Sequence, residues 1–179
     1  DEILPKESPN MHISHGEAVL AMVLQALGYS CQRMYLSPRY FSGVAVENLF
    51  GRELSPGWMN ARVLGRTLDA IFEYGATSFL ANLCMRVVSN HKLLKKFVYM
   101  DTTSLSVTGR KYKNDGNFRL THGYSKDHRG DLKQLVFLLA TTEEGLPVFA
   151  KAEDGNASDG EVFREALSEI QYRMESELD

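Results

Sequence analysis

One carboxylate, Asp101, stands at the end of the apolar run Phe97-Val98-Tyr99-Met100 and is followed by three hydroxyl side chains, Thr102, Thr103 and Ser104. A carboxylate where a buried strand leaves the core is either desolvated at a cost or held by a cation, and neighbouring hydroxyls can support it by hydrogen bonding. That pattern can begin a divalent-metal site. It is equally the pattern of an Asp that caps a strand or a turn, and these residues alone leave both readings open.

A second chemical stretch runs from Thr121 to Gln134, reading THGYSKDHRGDLKQ. Lys126, Arg129 and Lys133 can contact phosphates, as point charges or as a fork, and Tyr124 can stack on a base or sugar. The alternative is a solvated loop with local ion pairs, Lys126 with Asp127 and Arg129 with Asp131. His122 and His128 can join Asp101 as metal ligands, although two loop histidines without a further clustered ligand are a weak signal.

The elements that must position these groups follow from the rest of the chain. Its 179 residues are 44% hydrophobic and 24% charged, which is ordinary for one sizeable core or two small ones. No apolar run approaches the roughly 18 residues of a membrane span, and Asp1-Glu2-Ile3-Leu4-Pro5 lacks the parts of a signal peptide, so a cytoplasmic location is expected. The missing initiator methionine suggests a piece of something longer. Cys31 and Cys84 lie far apart in apolar helical patterns and read as two reduced core thiols. The net charge of -3 hides a gradient: +2 over 1–96, +3 over 97–140 and -8 over 141–179. A mildly basic front and middle suits a polyanion partner, and the acidic tail opposes one.

Helical signals fill the first half. Ser14-His15-Gly16-Glu17 has the spacing of a capping box before an apolar helix from Ala18 to Leu27, expected to be central to its own small domain. Ser37-Pro38 reads as a cap with a first-turn proline, Val44 to Phe50 as a short helix stopped by Gly51, and Asn60 as the cap of a helix from Ala61 to Tyr74 ended by Gly75. Thr77 can cap a last helix through Val88. A domain boundary is expected in the basic connector that follows, giving a helical domain at 1–94 and a second domain at 95–179. From Phe97 the period becomes strand-like. Strands are expected at 97–107, 132–142 and 146–152 with a turn or small hairpin at 109–117, and a helix from Ser158, capped with Glu161, to about Glu177. The class is α+β, with an all-helical part and then a three-stranded antiparallel meander plus one helix.

Taken together, Asp101-Thr102-Thr103-Ser104-Leu105-Ser106, the loop from His122 to Gln134, and Val148 to Asp159 (VFAKAEDGNASD) resemble bacterial insertion-sequence transposases of the DDE class. The resemblance covers the whole chain, and its specificity lies in the ordered combination. It implies an RNase H-like catalytic domain, here incomplete, preceded by a helical domain. It gives Asp101 the role of first catalytic Asp and metal ligand. The family's second Asp and its Glu lie further on than Asp179, and Asp154 and Asp159 read as helix-start carboxylates rather than replacements. The resemblance further implies Mg²⁺ (Mn²⁺ possible) in the complete enzyme, cleavage and rejoining of DNA at element ends and target, self-association, and a nucleoid-associated location. One carboxylate of three makes this chain alone inactive on that reading. A non-catalytic DNA-binding or interaction remnant is the alternative, and a metal hydrolase using Asp101, His122 and His128 is a third. The implied sheet order puts the first strand at an edge when its second neighbour is missing.

Overall fold

The computed structural model describes residues 1–27, 33–91, 93, 97–109, 118–124 and 128–176, the side chains of 174–176 excepted. Cys31, Lys126, Asp127 and most of the expected hairpin at 109–117 lie outside the described residues. The chain divides into two compact units, Asp1–Ala76 and Thr77–Asp179.

In the first unit, helix α1 (His15–Ala26) starts at the expected capping box. The Ser14 hydroxyl accepts from Glu17 N–H at 3.2 Å and Ser14 N–H donates to Glu17 Oε2 at 2.7 Å, so two otherwise orphaned donors are satisfied reciprocally. Short helices α2 (Ser37–Phe41) and α3 (Val46–Phe50) follow. Gly51 closes α3 at φ 70°, a left-handed conformation that glycine adopts without penalty. Asn60 Oδ1 caps α4 (Ala61–Tyr74) by accepting from the N–H groups of Arg62 and Val63. Ser37 corrects the sequence reading. It is buried with its Oγ 2.5 Å from Gln25 Oε1, a long-range bond that takes the hydroxyl away from capping.

Ile13, Ala18, Ala21, Phe41, Val46, Leu54, Met59 and Leu64 form one buried cluster. His15 Nδ1 lies 3.0 Å from Thr67 Oγ1, joining α1 to α4 inside it. The apolar stripes run beyond this core: Val23 on α1, Leu27 at its C-cap, and Leu68 and Phe72 on α4 are exposed. The all-round apolar character of α1 therefore buries only part of its surface.

Arg52 holds Glu17 with two bonds, 2.6 Å to Oε1 and 2.9 Å to Oε2. The guanidinium bond, only partly opposed by burial, keeps the Glu17 carboxyl below the usual carboxylate range. A carboxyl with a depressed folded pKa contributes stability above its unfolded pKa, and the contribution is lost as pH falls through the folded value. Denaturation midpoints followed from neutral to acidic pH should therefore fall less steeply in Glu17→Gln than in the parent. Parallel curves would show that the Arg52 pair carries none of the acid sensitivity.

The second unit holds α5 (Ala76–Asn90), strands β1 (Val98–Val107), β2 (Lys133–Thr142) and β3 (Pro147–Glu153), and α6 (Asp159–Ser176). The strands form one antiparallel sheet in the order β1-β2-β3, so β1 is an edge among the described strands, as expected. Asp101 pairs with Leu139, and Ser106 with Gln134. One sheet face carries the core: Leu138, Ala140 and Phe149 pack with Ala81 and Val88 of α5 and with Val162 and Ala166 of α6.

Two sequence expectations are corrected here. Alpha-helix α5 begins at Ala76, which makes Thr77 an interior residue rather than its cap, and its buried Ala81, Cys84 and Val88 group it with the sheet. The two compact units meet at 76/77, whereas the sequence reading put its domain boundary at 94/95. The run Phe97 to Met100 is buried on one face only, with Phe97 and Tyr99 each 63% exposed, because β1 is a half-covered antiparallel strand. Cys84 fits its reading as a core thiol, and burial pushes its pKa up.

Candidate functional site

β1 alternates strictly. Thr102 and Ser104 face the helices and are buried, and Tyr99, Asp101, Thr103 and Leu105 are exposed. Asp101 is thus the fourth of ten strand residues, not the last, and its Oδ1 accepts from the N–H of Thr102 at 2.8 Å. Among the described residues no three His, Cys, Asp or Glu side chains come together to hold a metal ion. His122 and His128 do not complete such a set with Asp101; His122 Nδ1 instead lies 3.2 Å from Gly130 O. Among the described residues, those present do not fit a Mg²⁺ centre by themselves.

Where three segments of the chain cross, the structure builds a different site. Thr121 and Gln134 exchange backbone bonds, Thr121 N–H to Gln134 O at 3.3 Å and Gln134 N–H to Thr121 O at 2.9 Å. Gly155 N–H donates to Arg119 O at 3.1 Å. The side chain of Gln134, 1% exposed, donates from Nε2 to Tyr124 O at 3.0 Å and to Gly155 O at 2.8 Å. One amide therefore ties the loop before β2 to the loop after β3. Glycine is required at both crossings for space. A Cβ on Gly123 would run into Gly155 O and come within 2.7 Å of Gln134 Nε2, and a Cβ on Gly155 would run into Gln134 O and come within 2.7 Å of Thr121 O.

Arg119 and Asp154 clamp the same junction from outside. Arg119 N–H donates to Asp154 Oδ1 at 2.6 Å, and its guanidinium reaches Oδ2 at 2.8 and 2.9 Å. The Arg119 side chain and then its backbone N–H hold the Asp154 carboxyl below its usual range. Asp154 is thereby a loop clamp rather than the helix-start carboxylate the sequence suggested. Asp159 does open α6, and it accepts from Thr102 Oγ1 at 2.9 Å, joining the helix start to β1.

Beside this junction lies a cavity of about 260 Å³ that Thr102, Thr103, Gln134, Tyr124, Asn156 and Asp159 help to line. Of the expected site residues it takes in Tyr124, which is 85% exposed. Asp101 is not among its lining residues. Arg129 forms a forked pair with Asp131, both bonds 2.8 Å, so the local ion-pair reading holds for this residue in the free protein. That guanidinium lowers the Asp131 pKa first of all through its hydrogen bonds. Lys133 begins β2 opposite Val107, half-buried. Lys126 is outside the described residues. The structure brings Tyr124 into the cavity and leaves Asp101, Arg129 and Lys133 outside its lining.

Sequence reasoning missed Gln134, Gly123 and Gly155. The available signal was Gly123, which stands outside any turn and so marks close backbone approach; Gly155, between Asp154 and Asn156, reads as an ordinary turn glycine.

Comparison with known proteins adds a result for the front of the chain. Residues 1–85 match a domain of unknown function, DUF4277. The DUF4277 match covers the first unit and runs into α5, so it ends before the sheet and its cavity. Neither a curated protein nor a solved structure matches the chain.

Proposed function

We propose that this chain belongs to a DNA transposase of the insertion-sequence DDE type and supplies its helical front and the first part of an RNase H-like catalytic domain. One observation carries the reading. The three stretches on which the resemblance rests, at 101–106, 122–134 and 148–159, meet around one cavity although they are far apart in the chain. The order of elements supports it as well, with helices, an antiparallel meander and a following helix. In this reading Asp101 is the catalytic carboxylate of β1. Mg²⁺ enters through the resemblance alone, with its further ligands outside the described residues. Lys126, Arg129 and Lys133 meet phosphates, and Arg129 exchanges Asp131 for them. Self-association uses β1, which has a neighbour on one side among the described strands and displays Tyr99 and Leu105. The protein then works on the bacterial nucleoid in the cytoplasm; among the described residues no helix is long and apolar enough to cross a membrane.

The second reading, a non-catalytic DNA-binding or interaction remnant, is favoured by the lack of a three-ligand cluster among the described residues. The transposase reading and the DNA-binding form of the remnant both require DNA binding, and the test separates them from an interaction remnant that ignores DNA. Neutralising Lys126, Arg129 and Lys133 together should weaken duplex binding and flatten its dependence on salt by up to about three phosphate contacts. An unchanged slope would return the loop to a purely structural role. Asp101→Asn, placed in an intact transposase that carries this sequence, should abolish strand cleavage while DNA binding persists. Cleavage retained by that variant would remove the catalytic role from Asp101.

A further inference from the structure

The loop after β3 carries the dipeptide Asp154-Gly155, and Asp159-Gly160 repeats it at the start of α6. A third copy, Asp115-Gly116, lies outside the described residues. An aspartate before glycine can rearrange without an enzyme, because no side chain shields the glycine nitrogen from the carboxyl. The nitrogen gives its proton to solvent and attacks Cγ of the neutral acid. The new N–Cγ bond closes an imide ring, and the hydroxyl leaves with a proton as water. Water then opens the ring at either carbonyl. Opening at the main-chain carbonyl leaves the backbone running through Cγ, which is isoaspartate, a chain longer by one methylene. One water leaves and one returns, and nothing is oxidised or reduced.

At Asp154-Gly155 a single residue, Arg119, occupies both reacting groups. The nucleophile is held because Gly155 N–H donates to Arg119 O at 3.1 Å. The electrophile is held twice, Oδ1 by Arg119 N–H at 2.6 Å and Oδ2 by the guanidinium at 2.8 and 2.9 Å. These bonds favour the ionised carboxylate, first through the Arg119 side chain and then through its N–H, so the neutral acid that the attack needs is scarce. The other end of the glycine is fixed as well, since Gly155 is buried and its carbonyl accepts from Gln134 Nε2 at 2.8 Å. Joining the nitrogen to Cγ requires the contacts on both atoms to open. Asp159 differs: its carboxylate leans on Thr102 Oγ1 at 2.9 Å.

We propose that Asp154-Gly155 is a modification site, which isomerises to isoaspartate when the loops around Gln134 part, and that Arg119 is the residue guarding it. The product does not fit back into the crossing. Even a Cβ on Gly155 would run into Gln134 O, so an extra main-chain carbon beside it must displace its N–H from Arg119 O or its carbonyl from Gln134 Nε2. Isoaspartate at 154 therefore accumulates as a one-way record of how often this junction opens. The site owes nothing to DNA and stands apart from the transposase reading.

The test ages the 179-residue chain at neutral pH, folded and in urea, and counts isoaspartate at 154 and 159 in proteolytic peptides by electron-transfer fragmentation. Position 154 should react at least about tenfold more slowly in the folded chain than in urea, the factor that one charged hydrogen bond makes in a barrier. Arg119→Ala should raise the folded rate at 154 by about the same factor while 159 keeps the parent rate. If circular dichroism shows no cooperative melt for that variant, Arg119→Lys, which keeps the charge and loses the fork, replaces it and is read in the same way. Equal rates at 154 in folded and unfolded chain overturn the protected site. An unchanged rate at 154 in the variant, or an equal rise at 154 and 159, overturns the guarding role of Arg119.

Discussion

Gly155→Ala should destabilise the second unit by about 3 kcal/mol, the upper range for overpacking a close contact, and lower its thermal midpoint by more than about 10 °C. The added methyl meets only backbone: Gln134 O, Thr121 O and the Gln134 carbonyl carbon. A side-chain neighbour could rotate away, but these atoms belong to the exchange of hydrogen bonds between Thr121 and Gln134. Relief must come from pulling the loop after β3 off β2, which also breaks the bond from Gln134 Nε2 to Gly155 O. The internal control is Gly160, five residues on in α6, where a Cβ meets nothing within 4 Å. Gly160→Ala should stabilise by up to about 1 kcal/mol through helix propensity. Thermal melts by circular dichroism decide the matter. If the two alanines shift the midpoint in the same direction, the crossing at Gly155 is not the rigid junction described here.

The elements of this fold were legible where their signals are local. Ser14 with Glu17, Asn60, Gly51 and Gly75 mark helix ends by chemistry that reaches no more than four residues, and each does what that chemistry predicts. The strand order followed from short reversals between apolar runs. What escaped depends on partners distant in sequence. Ser37 looks like a cap until Gln25 takes its hydroxyl, and Asp154 looks like a helix-start carboxylate until Arg119, 35 residues earlier, binds it. Gln134 follows Lys133 at a strand start with no local signal of burial, yet its side chain is almost fully buried and ties two loops together. The resemblance weighted the charged residues of its three stretches, whereas the structure joins those stretches around an uncharged amide and two glycines. The aim of the Asp101 carboxylate was not legible either, because strand parity decides it and the apolar run before it conceals the parity.

Leu138→Ala bears on the domain boundary, which the sequence reading puts at 94/95 and the compact units put at 76/77. Leu138 is fully buried in β2, between Thr102 on β1 and Lys151 on β3, and its side chain belongs to the cluster that includes Ala81 and Val88 of α5 and Ala166 of α6. Truncation removes three carbons from a site closed by strand neighbours and two helices, where the chain can collapse little, and a cost of about 3 kcal/mol is expected. The sequence placed the break at 94/95 because periodicity changes there and the connector is basic. Periodicity reports which face of a helix is apolar, not which core that face joins. If α5 shares the core of the sheet, the loss at Leu138 must spread to it, and amide exchange should speed up together in β1, β2, β3, α6 and the stretch of α5 around Ala81 to Val88. Exchange in α5 that stays at parent rates while the strands open would detach that helix from the sheet and return the boundary to 94/95.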